Sequence, residues 1–160
     1  MMCELLGLQA GHIILRHTVV EQGVLTLTVE SRSKRCRCPL CHKFSYHIHS
    51  QYQRYIRALP CFAKTTLIHL TAHKFYCRNL YCPQKVFTER FTTGITPHQR
   101  RTQRLTERLL SLVCQLSGRS AERICQLLGI DVSDTTLGRL LQKQSLPALP
   151  TPAIGILKMT

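Results

Sequence analysis

The sequence predicts an α+β fold in which a small β module comes first and three helices follow. Up to about residue 90, apolar residues alternate with polar ones, as in residues 24–29, which is typical of half-buried strands. From residue 96 onward, apolar residues recur every three or four positions, which is typical of amphipathic helices. Two cysteine pairs flank the strand-rich segment, one pair at each end.

The cysteine pairs have the spacing of metal ligands. Two residues separate Cys38 from Cys41, and four separate Cys77 from Cys82. Four thiolates on two short turns suit tetrahedral zinc, which takes two ligands from each turn. The sequence therefore predicts a closed, structural zinc site that staples the β module. Four unmetallated thiols are the alternative, whereas a redox pair is disfavoured because no thioredoxin-like βαβ pattern surrounds either pair.

The strands of the β module follow from the period-two segments. We predict a hairpin over residues 12–31, longer strands over residues 46–59 and 65–76, and a short strand over residues 86–87. Gln22-Gly23 is expected at the hairpin turn, because it lies between the two strand segments and contains glycine. Pro60 is expected in the connection between the two longer strands.

Three helices are predicted in the second half. Thr96-Pro97 begins the first, because a capping residue precedes proline at the first helical position, and Gly118 ends it. The second helix covers residues 121–128, and Ser133 caps the third. A short helix, a glycine-containing turn and a capped helix match the helix–turn–helix pattern, and an ordinary three-helix bundle has the same periodicity.

The apolar faces of these helices are expected to share one core. Its predicted members are Leu105, Leu109, Leu112, Val113, Leu116, Ile124, Leu127, Leu128, Leu137, Leu140 and Leu141. Cys114 and Cys125 also lie on apolar faces and are predicted to be core thiols. The prolines after residue 145 then predict a linker.

The charge of the chain is strongly positive. Its formal net charge is +14, and residues 31–106 contain fifteen Lys and Arg residues but one acidic residue, Glu89. Such a face attracts polyanions, so double-stranded DNA is the predicted partner, with a basic surface of no specific partner as the alternative. The predicted contacts are Arg54, Arg57, Lys74, Arg78, Arg100, Arg101, Arg104, Arg108, Thr135, Thr136, Arg139 and Lys143. The first turn of the third helix, with Thr135, Thr136 and Arg139, is expected to meet base edges.

Enzyme, secreted and membrane classes are disfavoured. The eight carboxylates are scattered and form no cluster suited to magnesium, and no glycine-rich phosphate loop is present. The N-terminus lacks the basic and apolar regions of a signal peptide, and no run approaches the roughly 20 apolar residues of a membrane span. We therefore expect a cytoplasmic binding protein whose cysteines stay reduced and bind metal.

Several motifs occur together in a specific order. They are Cys38-Pro-Leu-Cys41, His49…Tyr52…Arg54…Leu59-Pro60, Phe75-Tyr76-Cys77-Arg78-Asn79, Cys82-Pro83, Phe87-Thr-Glu-Arg90, Arg100-Arg101-Thr-Gln-Arg104-Leu105 and Leu128-Gly-Ile-Asp-Val-Ser133-Asp-Thr-Thr-Leu137. This combination resembles the N-terminal region of ISL-three-type bacterial insertion-sequence transposases. The resemblance implies zinc binding, binding to the terminal inverted repeats of the element, and a nucleoid-associated location. It also implies the chain itself or full-length transposase as protein partners.

In that family a ribonuclease-H-like domain follows, which cuts and joins DNA with three carboxylates and magnesium. It begins near a Gly-hydrophobic-Asp-Asp or Asp-Glu strand after a proline-rich linker. Here Ile154-Gly155-Ile156 matches, but residues 157–160 replace the acidic pair. We therefore expect a DNA-binding fragment truncated before the catalytic domain by a frameshift or a stop.

The expected regions are an N-terminal β-hairpin (1–34), a zinc-binding β module (35–92), a helix–turn–helix DNA-binding module (93–145), and a linker with the truncated end (146–160). The alternatives to a transposase fragment are a free-standing zinc-ribbon transcriptional regulator and an RNA-binding zinc protein.

Overall fold

The structure, a computed structural model, describes residues 13–91 and 94–143, and it confirms the α+β class. The strands are β1 (Ile13–Glu21), β2 (Val24–Ser31), β3 (Cys36–Arg37), β4 (Phe44–Ser45), β5 (Ile48–Cys61), β6 (Lys64–Tyr76) and β7 (Val86–Thr88). The helices are α1 (Gln103–Gln115), α2 (Gly118–Leu127) and α3 (Asp134–Lys143). The expected linker and truncated end, residues 146–160, lie outside the described residues.

One five-stranded sheet carries most of the β structure. Its order is β1-β2-β6-β5, and β7 pairs with the far end of β6, while β3 and β4 form a separate two-stranded sheet. The β1–β2 hairpin turns as predicted at Gln22 and Gly23, whose positive φ values of 48° and 79° suit a type I′ turn. β2 lies before residue 34 and pairs in parallel with β6, which lies after it, so one sheet spans the boundary expected between the first two regions. The division of the chain into four regions remains a prediction.

The longest pair in the sheet is β5–β6, and its turn is not where the sequence indicated. Phe62 and Ala63, with φ of 52° and 55°, form the turn. The prediction that Pro60 lies in the connection is wrong, because Pro60 lies within β5, at an irregularity between Ala58 and Cys61. Proline is tolerated at such a point, since no regular ladder bond requires its missing N–H.

The residues with buried side chains form three clusters. The sheet contributes one, which includes Val29, Ile56, Ile68 and Leu70, each fully buried. The helices form a second around Leu105, Leu109 and Leu137, and Leu59 of β5 packs against it. The third lies at the cysteines and includes Phe75 and Phe87. The sheet thus connects a helical core to a cysteine-centred core.

The first helix begins later than the sequence indicated. Its N-cap is Thr102, whose Oγ1 accepts a hydrogen bond from Leu105 N at 3.3 Å, so the predicted start at Thr96-Pro97 is wrong. The segment before it pairs with β5 instead: Arg57 N donates to Arg100 O at 2.8 Å, and Thr102 N donates to Arg57 O at 2.9 Å. This non-local pairing overrides the local helix signal.

The boundary between α1 and α2 also differs. Gly118 is the first residue of α2 and not the end of α1, because Ser117 occupies the N-cap position. No described helix is long and apolar enough to cross a membrane. Ser133 caps α3 as predicted, because Thr136 N donates to Ser133 Oγ at 3.3 Å.

The helical core has fewer members than the sequence predicted. Leu127 and Leu128 are exposed, the former by 86%, and Cys114 is exposed as well, so these three predictions are wrong. The α2 helix packs through Ala121 and Cys125, which lie one turn apart, and Cys125 is buried as expected. Leu128 follows the last residue of α2, and its side chain lies outside the face that packs against the helical core.

Candidate metal centre and nucleic-acid interface

The two cysteine pairs meet at one end of the sheet. Cys38 and Cys41 belong to the turn between β3 and β4, and Cys77 and Cys82 belong to the loop after β6. All four sulfurs lie within 4.8 Å of one another. The Cys38–Cys82 and Cys41–Cys77 Sγ distances are 3.8 Å and 3.6 Å. Tetrahedral zinc with Zn–S bonds of about 2.3 Å requires sulfurs about 3.8 Å apart, so the arrangement fits zinc.

Backbone hydrogen bonds hold the thiols in this arrangement. Cys38 N donates to Lys43 O and His42 N donates to Cys38 O, both at 3.0 Å. His42 has a positive φ of 57°, which lets the chain turn back directly after Cys41. In the second loop, Cys77 N donates to Lys85 O at 2.7 Å. The protein therefore positions the sulfurs with its own backbone.

The thiols differ in their electrostatic environment. A hydrogen bond from the backbone N–H of Lys43 lowers the pKa of Cys41 to about 6, against the opposing effect of burial. Burial raises the pKa of Cys82. Zinc binds cysteine as the thiolate, so the thiols lose their protons when the metal binds.

One acidic residue of the sheet region is buried, which the sequence did not predict. Glu89 is only 5% exposed. Ser31 Oγ donates to Glu89 Oε1 at 2.7 Å, and His73 N donates to Glu89 Oε2 at 3.4 Å. The carboxylate thereby joins β2, β6 and the segment after β7. Its isolation among fifteen cations in the sequence is the one signal from which a structural role could have been predicted, and that prediction was not made.

A second candidate site is a cleft between residues 98–101 and α3. It has a volume of about 520 Å³, and a neighbouring depression of about 410 Å³ continues along α3. We call the two together the basic cleft, and define it by Arg57, Arg100, Arg101, Thr136, Arg139 and Lys143. No carboxylate is among the described residues that line it. Burial, and then the charge of Arg57, lower the pKa of Arg101, so the cations of the cleft lie close enough to repel one another.

Six of the twelve predicted DNA contacts thus come together in the basic cleft. Thr135 is exposed on the first turn of α3 beside it. The other five lie elsewhere: Arg54 and Lys74 on the sheet, Arg78 in the loop between Cys77 and Cys82, and Arg104 and Arg108 on the exposed face of α1. Arg54 is half-buried, and its Nη2 donates to Thr96 O at 3.4 Å.

The position of α3 relative to the sheet is fixed by contacts at the turn before it. Arg57 Nη1 donates to Asp131 O at 2.6 Å, and Arg57 Nη2 lies 3.1 Å from Asp131 Oδ2. Thr65 Oγ1 donates to Gly129 O at 2.7 Å. Arg57 therefore supports the α2–α3 turn in addition to lining the cleft, which its sequence position did not reveal.

A comparison with known proteins gives a match for part of the β module. Residues 34–82 match the family model of the zinc-finger of transposase IS204/IS1001/IS1096/IS1165, and both cysteine pairs lie within the match. No curated protein and no solved structure gave a significant match. Residues 34–82 are therefore similar to the zinc ribbon of these transposases, and the four cysteines form a zinc site. The helices lie outside this match.

Proposed function

We propose that this chain binds DNA as part of a transposase-related system and recognises the terminal inverted repeats of an insertion sequence. The observation that carries the proposal is the basic cleft, in which four arginines and a lysine from separate segments converge beside the exposed first turn of α3. The transposase-type zinc ribbon at the other end of β5 supports it.

Three features of α3 and the turn before it support a role as a recognition helix. Leu137 anchors it in the helical core, while Thr135 and Arg139 remain exposed. The glycine-containing turn before it has φ of 74° at Gly129, as expected for a tight reversal between two helices. In helix–turn–helix proteins the second helix enters the major groove and its N-terminal residues reach the base edges. We propose this role for α3, with Arg100, Arg101 and Lys143 on the phosphates.

We further propose that this chain binds ends without cutting them. Among the described carboxylates, Glu89 is buried, Glu30 pairs with Arg16 at 2.6 Å, and Asp131 pairs with Arg57. The metal-binding group found in the described part of the chain consists of the four cysteines. A chain of this kind would influence transposition by occupying ends in competition with full-length transposase, or by pairing with it.

Footprinting tests the proposal. The zinc-loaded chain should protect the terminal inverted repeat of an ISL-three-type element, at concentrations that leave a shuffled duplex of equal length unprotected. A promoter fragment and a structured RNA serve as comparison ligands for the two alternative functions. Stronger protection of either comparison ligand, or equal protection of the shuffled duplex, would contradict repeat recognition.

A further inference from the structure

The loop between the last two zinc ligands displays apolar side chains that the fold does not use. Leu80 is 86% exposed and Tyr81 is 95% exposed. The loop is nevertheless held in place, because Cys77 and Cys82 anchor its ends and Lys85 Nζ donates to Leu80 O at 3.4 Å. The structure therefore presents an anchored loop whose apolar side chains face solvent.

A groove of about 320 Å³ separates this loop from the first cysteine turn. We call it the knuckle groove and define it by Lys43, Phe44, Arg78, Leu80 and Tyr81. Phe44 and Tyr81 provide aromatic rings, and Lys43 and Arg78 provide positive charge.

Further positive charge lies beside the ring of Phe44. The guanidinium carbons of Arg35 and Arg37 lie 5.0 Å and 4.6 Å from its centroid, within cation–π range. Arg37 is also the cross-strand partner of Phe44 in the β3–β4 pair. Two arginines therefore stand beside the aromatic wall of the knuckle groove.

Charge decides which partner the knuckle groove fits. Arg35, Arg37, Lys43 and Arg78 surround it, and no acidic residue is present between residues 31 and 88. A second copy would bring the same four cations, which repel one another, so self-association through this surface is disfavoured. Aromatic rings interleaved with cations match single-stranded nucleic acid, in which bases stack on rings and phosphates meet the cations.

We propose that the knuckle groove binds unpaired bases of a DNA strand, which stack on Tyr81 while Leu80 packs against them and the two arginines over Phe44 meet the phosphates. This goes beyond duplex recognition in the basic cleft and does not depend on it. The stretch of β5 from Ile48, at the zinc end, to Arg57, at the cleft, spans about 30 Å at roughly 3.3 Å per residue. The two surfaces can therefore contact different parts of one DNA end.

Fluorescence anisotropy with two labelled oligonucleotides tests this inference. One is a fully paired duplex, and the other is the same duplex extended by about five unpaired nucleotides, near the lower site size of single-strand binders. Tyr81→Ala in the zinc-loaded full chain should weaken binding to the extended oligonucleotide by about 5- to 100-fold, and binding to the duplex by less than about twofold. Tyr81→Phe should bind as the wild type does, because it retains the ring.

Phe62→Ala is the matched control, because Phe62 is an aromatic residue with 87% exposure at the β5–β6 turn, away from the zinc end. It should leave both affinities unchanged. Leu80→Ala repeats the test if Tyr81→Ala does not retain its zinc. Equal losses on both oligonucleotides, no loss on either, or the same loss in Phe62→Ala would overturn the inference. A preference for unpaired bases without duplex binding would refute the role of the basic cleft and leave this inference standing.

Discussion

Among individual residues, the four zinc ligands have the largest expected effect on stability. Cys38 and Cys82 are buried in a small cluster with Phe75 and Phe87. Without zinc, only the packing of this cluster would stabilise this end of the sheet. Metal ligation in small zinc modules contributes on the order of 10 kcal/mol of folding free energy at neutral pH. This exceeds what any single contact in the cluster can supply.

We therefore predict that Cys38→Ser or Cys77→Ser unfolds the zinc ribbon. Metal analysis of the wild type should find one zinc per chain, and circular dichroism of either variant should show loss of sheet signal. Cys114→Ser is the control, because Cys114 is exposed on α1 and should leave zinc content and folding unchanged. A metal-free wild type that stays folded in excess chelator would contradict the prediction.

A second residue-scale prediction concerns Arg139, which is exposed on α3 at the edge of the basic cleft. If it contacts a base edge, Arg139→Ala should cost about 1–3 kcal/mol of binding free energy on the cognate repeat and little on random duplex. Arg119→Ala provides a matched control, because Arg119 is an exposed arginine on α2 and does not line the cleft. An equal loss on both duplexes would make Arg139 a phosphate contact.

At the scale of elements, local signals predicted what local interactions determine. Gln22-Gly23 was recognised as a hairpin turn and Ser133 as a cap, because each acts within about four residues. The start of α1 was missed because Arg57 of β5 pairs with residues 100 and 102, more than forty positions away. The parallel pairing of β2 with β6 was missed for the same reason.

Burial on the helices was predictable only in part. Periodicity identifies an apolar stripe, but the neighbouring elements decide how much of the stripe is covered. Leu137 is buried where α3 meets α1 and α2, whereas Leu127 lies at the end of α2 with no described element over it. The zinc ligands were predictable because their chemistry requires all four together. The basic cleft was not, since Arg57 and Lys143 meet only in the folded chain.

The contact between Arg57 of β5 and Asp131 in the turn before α3 allows a prediction for each of the two residues. Asp131→Ala should change the free energy of unfolding by less than about 1 kcal/mol, because the ion pair is exposed and Arg57 still reaches the Asp131 carbonyl. Arg57→Ala removes both interactions and should cost more, about 1–2 kcal/mol. Urea denaturation of the two variants measures the difference. A larger loss in Asp131→Ala would mean that the carboxylate, and not the carbonyl, holds the turn.

For the whole molecule, the net charge of +14 makes salt the most direct probe of binding. If six or more of the cations meet phosphates, affinity for duplex DNA should fall about 1,000-fold or more between roughly 50 and 200 mM salt. Arg101→Ala or Arg104→Ala should each reduce the slope of log affinity against log salt by about one, without altering sequence preference. Anisotropy titrations at several salt concentrations measure this slope, and binding that ignores salt would refute the electrostatic account.

The last whole-molecule prediction concerns catalysis. Phosphoryl transfer of the transposase kind needs acidic side chains that hold two divalent cations about 4 Å apart at the reacting phosphate. The carboxylates of the described residues are instead buried (Glu89), paired with arginine (Glu30 and Asp131), dispersed on helices (Glu107, Glu122 and Asp134) or exposed at a strand end (Glu21). The purified 160-residue chain should therefore bind a labelled transposon end and leave it intact with magnesium or manganese present. Denaturing gel electrophoresis of the labelled strand measures this, with a known nuclease as the positive control. Cleavage at the end that a single carboxylate substitution, such as Glu107→Gln, abolishes would show that this chain assembles a catalytic centre after all.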